Sequence, residues 1–474
     1  MSDNRARTGI EGLDEHLQGG FPKGSMILIA GNAGTGKTML CGQFLHHGAA
    51  EGAENGLYVT FSEGRSNFLE NMAKLGRGFL ELEEQGRFDV LDLITVKEPG
   101  IDAVMEMITS HIDANGTERL VVDSFTAMAN AFSTVIDARV MLHLLSKILR
   151  QTGCTTLLVT EIPTGQGTIG MGIEEFVVDG IIILRRQLYD GYTIRNLEIA
   201  KMRGTRVEEP RLIFTLHEGF EVLTSIATRL AIEEPRRFAP IPHPPDRFST
   251  GHGQLDEILM GLRRGDTILM ERGEDVPTLI PSLMFGTLRA NFLMSEMGVI
   301  YLPPAGVNVD RIVRFGGLYG ITEEEQGRLM RIASDGNEER DAPYVVAFDP
   351  DAPEGMMSLW RKAKEELMEA TGRPTLTIAH IDRIVTSLTD DLTRRALDMA
   401  VTATKNEGGP LLLITGPGTE KLTRSASSLS DLHLRLLNEQ GVILFHGIRP
   451  RTLLYALEID GSEGYPKLEM TPLV

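Results

Sequence analysis

The chain has 474 residues, 42% hydrophobic and 24% charged, enough for two or three domains with their own cores, which excludes a small stapled scaffold and wholesale disorder. Lys+Arg 47 against Asp+Glu 66 gives a net charge of −19, spread evenly with no basic arm, which disfavours sequence-indifferent nucleic-acid backbone binding as a main activity. The two cysteines, Cys41 and Cys154, are too few for a disulfide framework and have no metal-ligand spacing, which fits a reducing cytoplasm.

The opening stretch, MSDNRARTGIEGLDEHLQGG, lacks the apolar core of a signal peptide, and the chain has no apolar run of the roughly 18 residues a membrane helix needs. Neither secretion nor a membrane span is expected. Short apolar runs then follow at 26–30, 57–61, 88–94, 119–123, 155–160 and 180–184, with helical periodicity between them, as at 101–113 and 137–151. Strands buried on both faces and separated by helices predict a largely parallel sheet.

The first run leads into Gly31-Asn32-Ala33-Gly34-Thr35-Gly36-Lys37-Thr38, a GxxxxGK[ST] phosphate loop, and the residues from Met39 onward read as a helix. Gly31 to Thr38 and Met39 form the expected nucleotide-binding set. Glycines let backbone N–H groups curl around phosphate, Lys37 reaches the β and γ phosphates, and Thr38 can ligate Mg²⁺. The strand Arg119 to Asp123 ends in a second candidate magnesium ligand, Asp123. Glu63, just past the strand 57–61, is a candidate to position or deprotonate the attacking water. Thr160-Glu161 is either a sensor of the terminal phosphate or a plain strand end.

The opening motif Thr8-Gly9-Ile10-Glu11-Gly12-Leu13-Asp14-Glu15 returns half a chain later as Thr250-Gly251-His252-Gly253-Gln254-Leu255-Asp256-Glu257. A duplicated domain is the inference. The proline-rich stretch 233–245 between the copies reads as an extended linker, which predicts domains at 1–228 and 248–474 joined by 229–247. Copy two repeats the apolar runs at 267–271, 298–302, 344–348, 375–379, 410–415 and 442–446. Its counterpart of the phosphate loop, Arg272-Gly273-Glu274-Asp275-Val276-Pro277-Thr278-Leu279, has lost the lysine and most glycines and gained two carboxylates. Phosphate binding there is not expected. Asp382 could replace Asp123 only with a shift in register.

Four features together resemble a known family, the KaiC-like branch of the RecA-type P-loop ATPases. They are the opening Thr8 to Asp14 with Gly19-Gly20-Phe21-Pro22-Lys23-Gly24, the phosphate loop, Val59-Thr60-Phe61-Ser62-Glu63, and Lys201-Met202-Arg203-Gly204-Thr205. The resemblance implies two tandem RecA-like α/β domains, the second degenerate, assembled into a ring, commonly a hexamer, with ATP and Mg²⁺ between neighbours. It also implies that Lys201 and Arg203 reach the phosphates of an adjacent copy, and that regulatory protein partners read the state of the ring. Family members carry paired glutamates where this chain has Ser62-Glu63, so the first carboxylate is replaced, which implies either that ATP is split slowly or that it serves mainly as a structural ligand of the ring interface. The chain also resembles, in size and phosphate loop, the archaeal gas-vesicle regulators. Ser427 and Ser428 fall near the family's phosphorylated pair, but without a phosphate loop in the same copy a Ser-rich capped turn is the expectation. The competing reading is a RecA-type recombination or repair accessory acting on single-stranded DNA through the glycine-rich stretch 165–172. That stretch has no cation or aromatic residue for such contacts.

Overall fold

The computed structural model describes residues 4–94, 101–130, 135–163, 174–225, 232, 234–334, 342–347, 354–381 and 390–474. The glycine-rich stretch 165–172 and Asp382 lie outside them. The chain divides into two compact units, Met1–Thr224 with Leu473–Val474, and Ser225–Pro472.

The first unit is built on a nine-stranded sheet among the described residues, ordered Glu221–Leu223, Arg211–Thr215, Tyr192–Met202, Gly180–Tyr189, Met26–Gly31, Thr155–Glu161, Arg119–Asp123, Gly56–Thr60 and Phe88–Asp92. The last six are mutually parallel and the first three antiparallel. The parallel strands are apolar because helices cover both faces. One face packs Ile27, Ile29, Tyr58, Val121 and Val159 against Leu40, Phe44 and Leu45 of the helix Lys37–Ala50. The other packs Leu28, Leu57, Leu120 and Leu158 against the helices Ile101–Asn115 and Val135–Thr152.

The second unit repeats this plan in a ten-stranded sheet, ordered Val345–Ala347, Met330–Ser334, Val299–Leu302, Leu376–His380, Leu411–Thr415, Thr267–Arg272, Leu432–Glu439, Val442–Arg449, Tyr455–Asp460 and Lys467–Pro472. The tandem α/β expectation holds. Two of the sequence-level strand equivalences do not. Within the run 344–348 the strand Val345–Ala347 is an extra edge strand, and Met330–Ser334 takes the place of Phe88–Asp92 beside Val299–Leu302. Likewise Leu432–Glu439 lies parallel to Thr267–Arg272, as Gly180–Tyr189 does to Met26–Gly31, whereas Val442–Arg449 is its antiparallel partner. Apolar runs locate strands, but pairing partners are chosen by contacts distant in sequence.

The duplicated opening motif has a structural explanation. The Thr8 N–H and hydroxyl both donate to Asp14 Oδ1 at 2.8 Å, and those of Thr250 both donate to Asp256 Oδ1 at 2.7 Å. Between them Gly9 and Gly251 take φ of +68° and +73°, and a Cβ on Gly251 would sit 2.5 Å from the Thr287 carbonyl oxygen. The repeated residues lock a turn against a helix.

The stretch 234–246 has neither helix nor strand, as its prolines predict, yet it is packed onto the second unit. Phe238 is buried in edge-on contact with Tyr319 and Tyr465, and the Asn291 amide brackets Ile241, accepting from its N–H at 2.8 Å and donating to its carbonyl at 3.1 Å. Ser427 and Ser428 fall in the last turn of the helix Glu420–Leu429, so the expected capped turn is helical there. Among the described residues no helix is long and apolar enough to cross a membrane.

Candidate active site

The phosphate loop joins the buried strand Met26–Gly31 to the helix Lys37–Ala50. Gly34 and Gly36 have φ of +72° and +94°, a region costly for residues with a Cβ. A Cβ on Gly31 would lie 2.7 Å from the Leu184 carbonyl oxygen. The Asn32 amide donates to the Ile162 carbonyl at 2.7 Å, tying the loop to the end of the neighbouring strand. The Lys37 ammonium donates to the Gly31 and Asn32 carbonyls at 2.8 and 2.9 Å. Burial lowers its pKa, opposed by the charges of Glu161 and Asp123.

Thr38 and Asp123 lie together here: the Thr38 hydroxyl donates to Asp123 Oδ2 at 3.0 Å. A second donor, not foreseen, reaches the same oxygen, the hydroxyl of fully buried Tyr58 at 3.0 Å. Asp123 is 7% exposed. Burial holds its carboxyl above the ordinary carboxylate range, against the hydrogen bonds from Tyr58 and Thr38 and the charge of Lys37. A tyrosine inside an apolar strand was the available signal, because a buried phenol requires a polar partner.

Glu63 is held by a turn in which the Thr60 hydroxyl donates to the Glu63 carbonyl at 2.6 Å and accepts from its N–H at 3.1 Å. Its carboxylate accepts from the Asn71 amide at 2.8 Å. Burial raises the Glu63 pKa, the Asn71 hydrogen bond lowers it, and the nearby Asp123 charge raises it. Ser62 is exposed. Glu161 donates its N–H to Thr126 Oγ1 at 3.0 Å, and Thr126 in turn bonds Thr160 at 3.0 Å.

Lys201 and Arg203 are not brought to this site within the chain. They flank Met202, which pairs with Gly180, itself beside Ile27 near the start of the strand whose far end carries the phosphate loop. Four extended residues at ~3.3 Å each put that strand start roughly 13 Å from Gly31. Lys201 donates to the Glu175 and Val178 carbonyls at 3.0 and 2.7 Å, and Arg203 to Asp179 at 3.2 Å.

With this geometry in place, comparison with known proteins places the N-terminal domain. The profile described as "ATPase: KaiC" matches residues 6–225. The N-terminal domain belongs to the KaiC ATPase family. The chain is 33% identical over 282 residues to the circadian clock oscillator protein KaiC of Parasynechococcus marenigrum, covering 58% of this chain and 53% of that protein. It is 33% identical over 278 residues to that of Synechococcus elongatus, covering 57% and 52%. The chain thus matches about half the length of these relatives. A crystal structure of a KaiC-like protein from Pyrococcus horikoshii OT3 is 34% identical, covers 46% of this chain and 99% of its own, and superposes with a TM-score of 0.43.

Strand register shows what the second domain has in place of this site. In the first, Tyr58, Val121, Leu157 and Ile27 lie side by side across the sheet; in the second, Tyr301, Ile378, Leu412 and Ile268 do. Counting from these rows, Arg272 replaces Gly31, Thr278 replaces Lys37, Leu279 replaces Thr38 and His380 replaces Asp123. Asp382 is therefore not the register equivalent of Asp123. Tyr301 stands 3.5 Å from His380 Nε2, as Tyr58 stands beside Asp123. Burial and the charge of Arg272 push the His380 pKa down to about 3.

Proposed function

We propose that the chain is a KaiC-like ATP-binding regulatory protein. Its N-terminal domain binds Mg-ATP between neighbouring copies of a homo-oligomeric ring, a hexamer by likeness to the family, and hydrolyses it slowly. The ring then switches between states read by protein partners. The observation that carries this reading is the convergence of Lys37, Thr38 and Asp123 at the phosphate loop.

The donor set suits the proposed ligands. A hydroxyl and a carboxylate oxygen 3.0 Å apart are the hard oxygen ligands that Mg²⁺ prefers, and the glycine loop leaves its backbone open to phosphate. Bound Mg²⁺ would supply charge neutralisation between the β and γ phosphates. Lys37 exchanges its loop carbonyls for phosphate oxygens, and Glu63 orients the attacking water and accepts its proton. Burial of Glu63 makes it the better base, because a carboxyl pKa nearer the working pH matches general-base catalysis. Ser62 adds no second carboxylate, which supports a slow reaction.

Assembly is supported by two observations on the first domain. Lys201 and Arg203 lie at the sheet edge opposite the phosphate loop, where a cation can serve a neighbour's site but not its own. Ile136, Val140 and Leu144, at 73%, 46% and 40% exposure, form an i, i+4, i+8 stripe along Val135–Thr152, a face suited to a second copy. Native mass spectrometry with and without Mg-ATP tests the proposal. The expected result is a ring carrying one nucleotide per chain, lost in Lys37→Ala. A chain that stays monomeric and empty in Mg-ATP overturns it. Single-stranded DNA is expected not to stimulate hydrolysis, and stimulation would favour the recombinase reading.

A further inference from the structure

The second domain retains a cavity on its phosphate-loop side. It has a volume of about 100 Å³ and lies among Leu279, Phe285, Tyr301, Ile312, Phe315 and His380. This is the edge where strands of an open α/β sheet end, and where such folds place their ligands. Its feature without a partner is Arg289, on the helix Gly286–Met294 and only 4% exposed. Arg289 Nη2 is buried with no hydrogen-bond partner. Among the described residues no carboxylate pairs with this guanidinium. Aromatic faces lie beside it: the guanidinium carbon is 5.1 Å from the Phe315 ring centre and 5.8 Å from that of Tyr301.

An arginine does not shed its proton in a protein, so this charge stays buried. A buried, unpaired ion costs several kcal/mol, more than ring faces return. The charge is therefore best explained by an anion that completes it. His380 and Tyr301 offer neutral polar contacts, and Ser282 lines the same cavity. Exposed Arg311 also lines the cavity and would draw an anion toward it. One buried cation with apolar walls matches a single negative charge on a compact apolar body. A phosphate dianion, with more oxygens to satisfy, matches it poorly. An engineered apolar cavity of about 150 Å³ accepts benzene, so a somewhat smaller body fits here.

We propose that this cavity binds a small organic monocarboxylate, its carboxylate on Arg289 and its apolar body against Phe285, Ile312 and Phe315. The second domain would then be a ligand sensor that kept the binding edge of its fold while exchanging nucleotide for another anion.

Isothermal titration of the full chain with isobutyrate, propionate and inorganic phosphate tests this, in a Lys37→Ala background so that the phosphate loop does not compete. One site per chain for isobutyrate is expected, weakened about 10- to 100-fold in Arg289→Met and several-fold in Arg311→Ala, as loss of a charged hydrogen bond predicts. Without ligand, Arg289→Met should melt at a higher temperature than the parent, because an uncompensated charge has gone. No binding of either carboxylate at about 10 mM, equal binding by Arg289→Met, or tightest binding of phosphate would each overturn the proposal. So would a lower melting temperature in a folded Arg289→Met, since it would mean that the guanidinium is already satisfied. If Arg289→Met does not fold, Arg311→Ala and Ser282→Ala decide, and unchanged affinity in both refutes the site.

Discussion

Replacing Tyr58 by Phe isolates the contact that the sequence did not announce. The ring is fully buried and stacked on Phe68 with centroids 3.9 Å apart, so Tyr58→Phe keeps the packing and deletes only the hydroxyl that donates to Asp123 Oδ2 at 3.0 Å. A hydrogen bond to a charged group contributes about 1.5–3 kcal/mol, and a domain of this size shifts by ~2–4 °C per kcal/mol, so the N-terminal unfolding transition should fall by about 3–12 °C. The loss should depend on pH. Burial holds the folded pKa of Asp123 above its unfolded value, so protonation favours the native state and stability declines as pH rises through the window between the two. Removing the phenol raises the folded value further, and the deficit of the variant is largest above that window and smallest below it. Scanning calorimetry from pH 4 to pH 8, with hydrogen exchange at the amides of Arg119–Asp123 to assign the transition, reads both effects. A loss under about 0.5 kcal/mol at neutral pH, or one larger in acid than in base, refutes the argument.

Three further outcomes follow from the same geometry. Asn71→Ala removes the hydrogen bond that lowers the Glu63 pKa; in the hydrolysis profile of the assembled protein the rising acid limb should move to higher pH, while Glu63→Gln should keep ATP and lose the limb. Gly31→Ala would put a Cβ 2.7 Å from the Leu184 carbonyl oxygen; overpacking of about 1–3 kcal/mol at the phosphate cradle should weaken ATP binding about ten-fold or more in equilibrium dialysis with far-UV circular dichroism unchanged. Arg119, 2% exposed, bonds Glu54 at 2.5 Å and donates to the Arg7 and Phe44 carbonyls at 2.8 and 2.7 Å; Arg119→Met should cost about 3–5 kcal/mol in urea unfolding, partly recovered by adding Glu54→Gln.

Much of the site was legible before the fold was known. Gly31 to Thr38 and Asp123 each lie at the end of an apolar run, and a parallel sheet brings such ends to one edge, so their meeting required only the fold class. The strand and helix positions were legible for the same reason, since burial on two faces writes continuous apolar runs. What was hidden depended on lateral order. The role of Tyr58 exists only because Gly56–Thr60 pairs in register with Arg119–Asp123, and nothing local to either strand specifies that pairing.

The second domain draws the line most clearly. Its sequence alone established that the phosphate loop had been lost, because lysine and glycine are required locally and are absent. That His380 takes the place of Asp123, that Met330–Ser334 and not 344–348 repeats the edge strand, and that Arg289 is buried beside Tyr301 and Phe315 were decided only by tertiary structure. Chemistry carried by a contiguous loop can be read along the chain, whereas the partner of a buried charge or strand is chosen by residues far away in it.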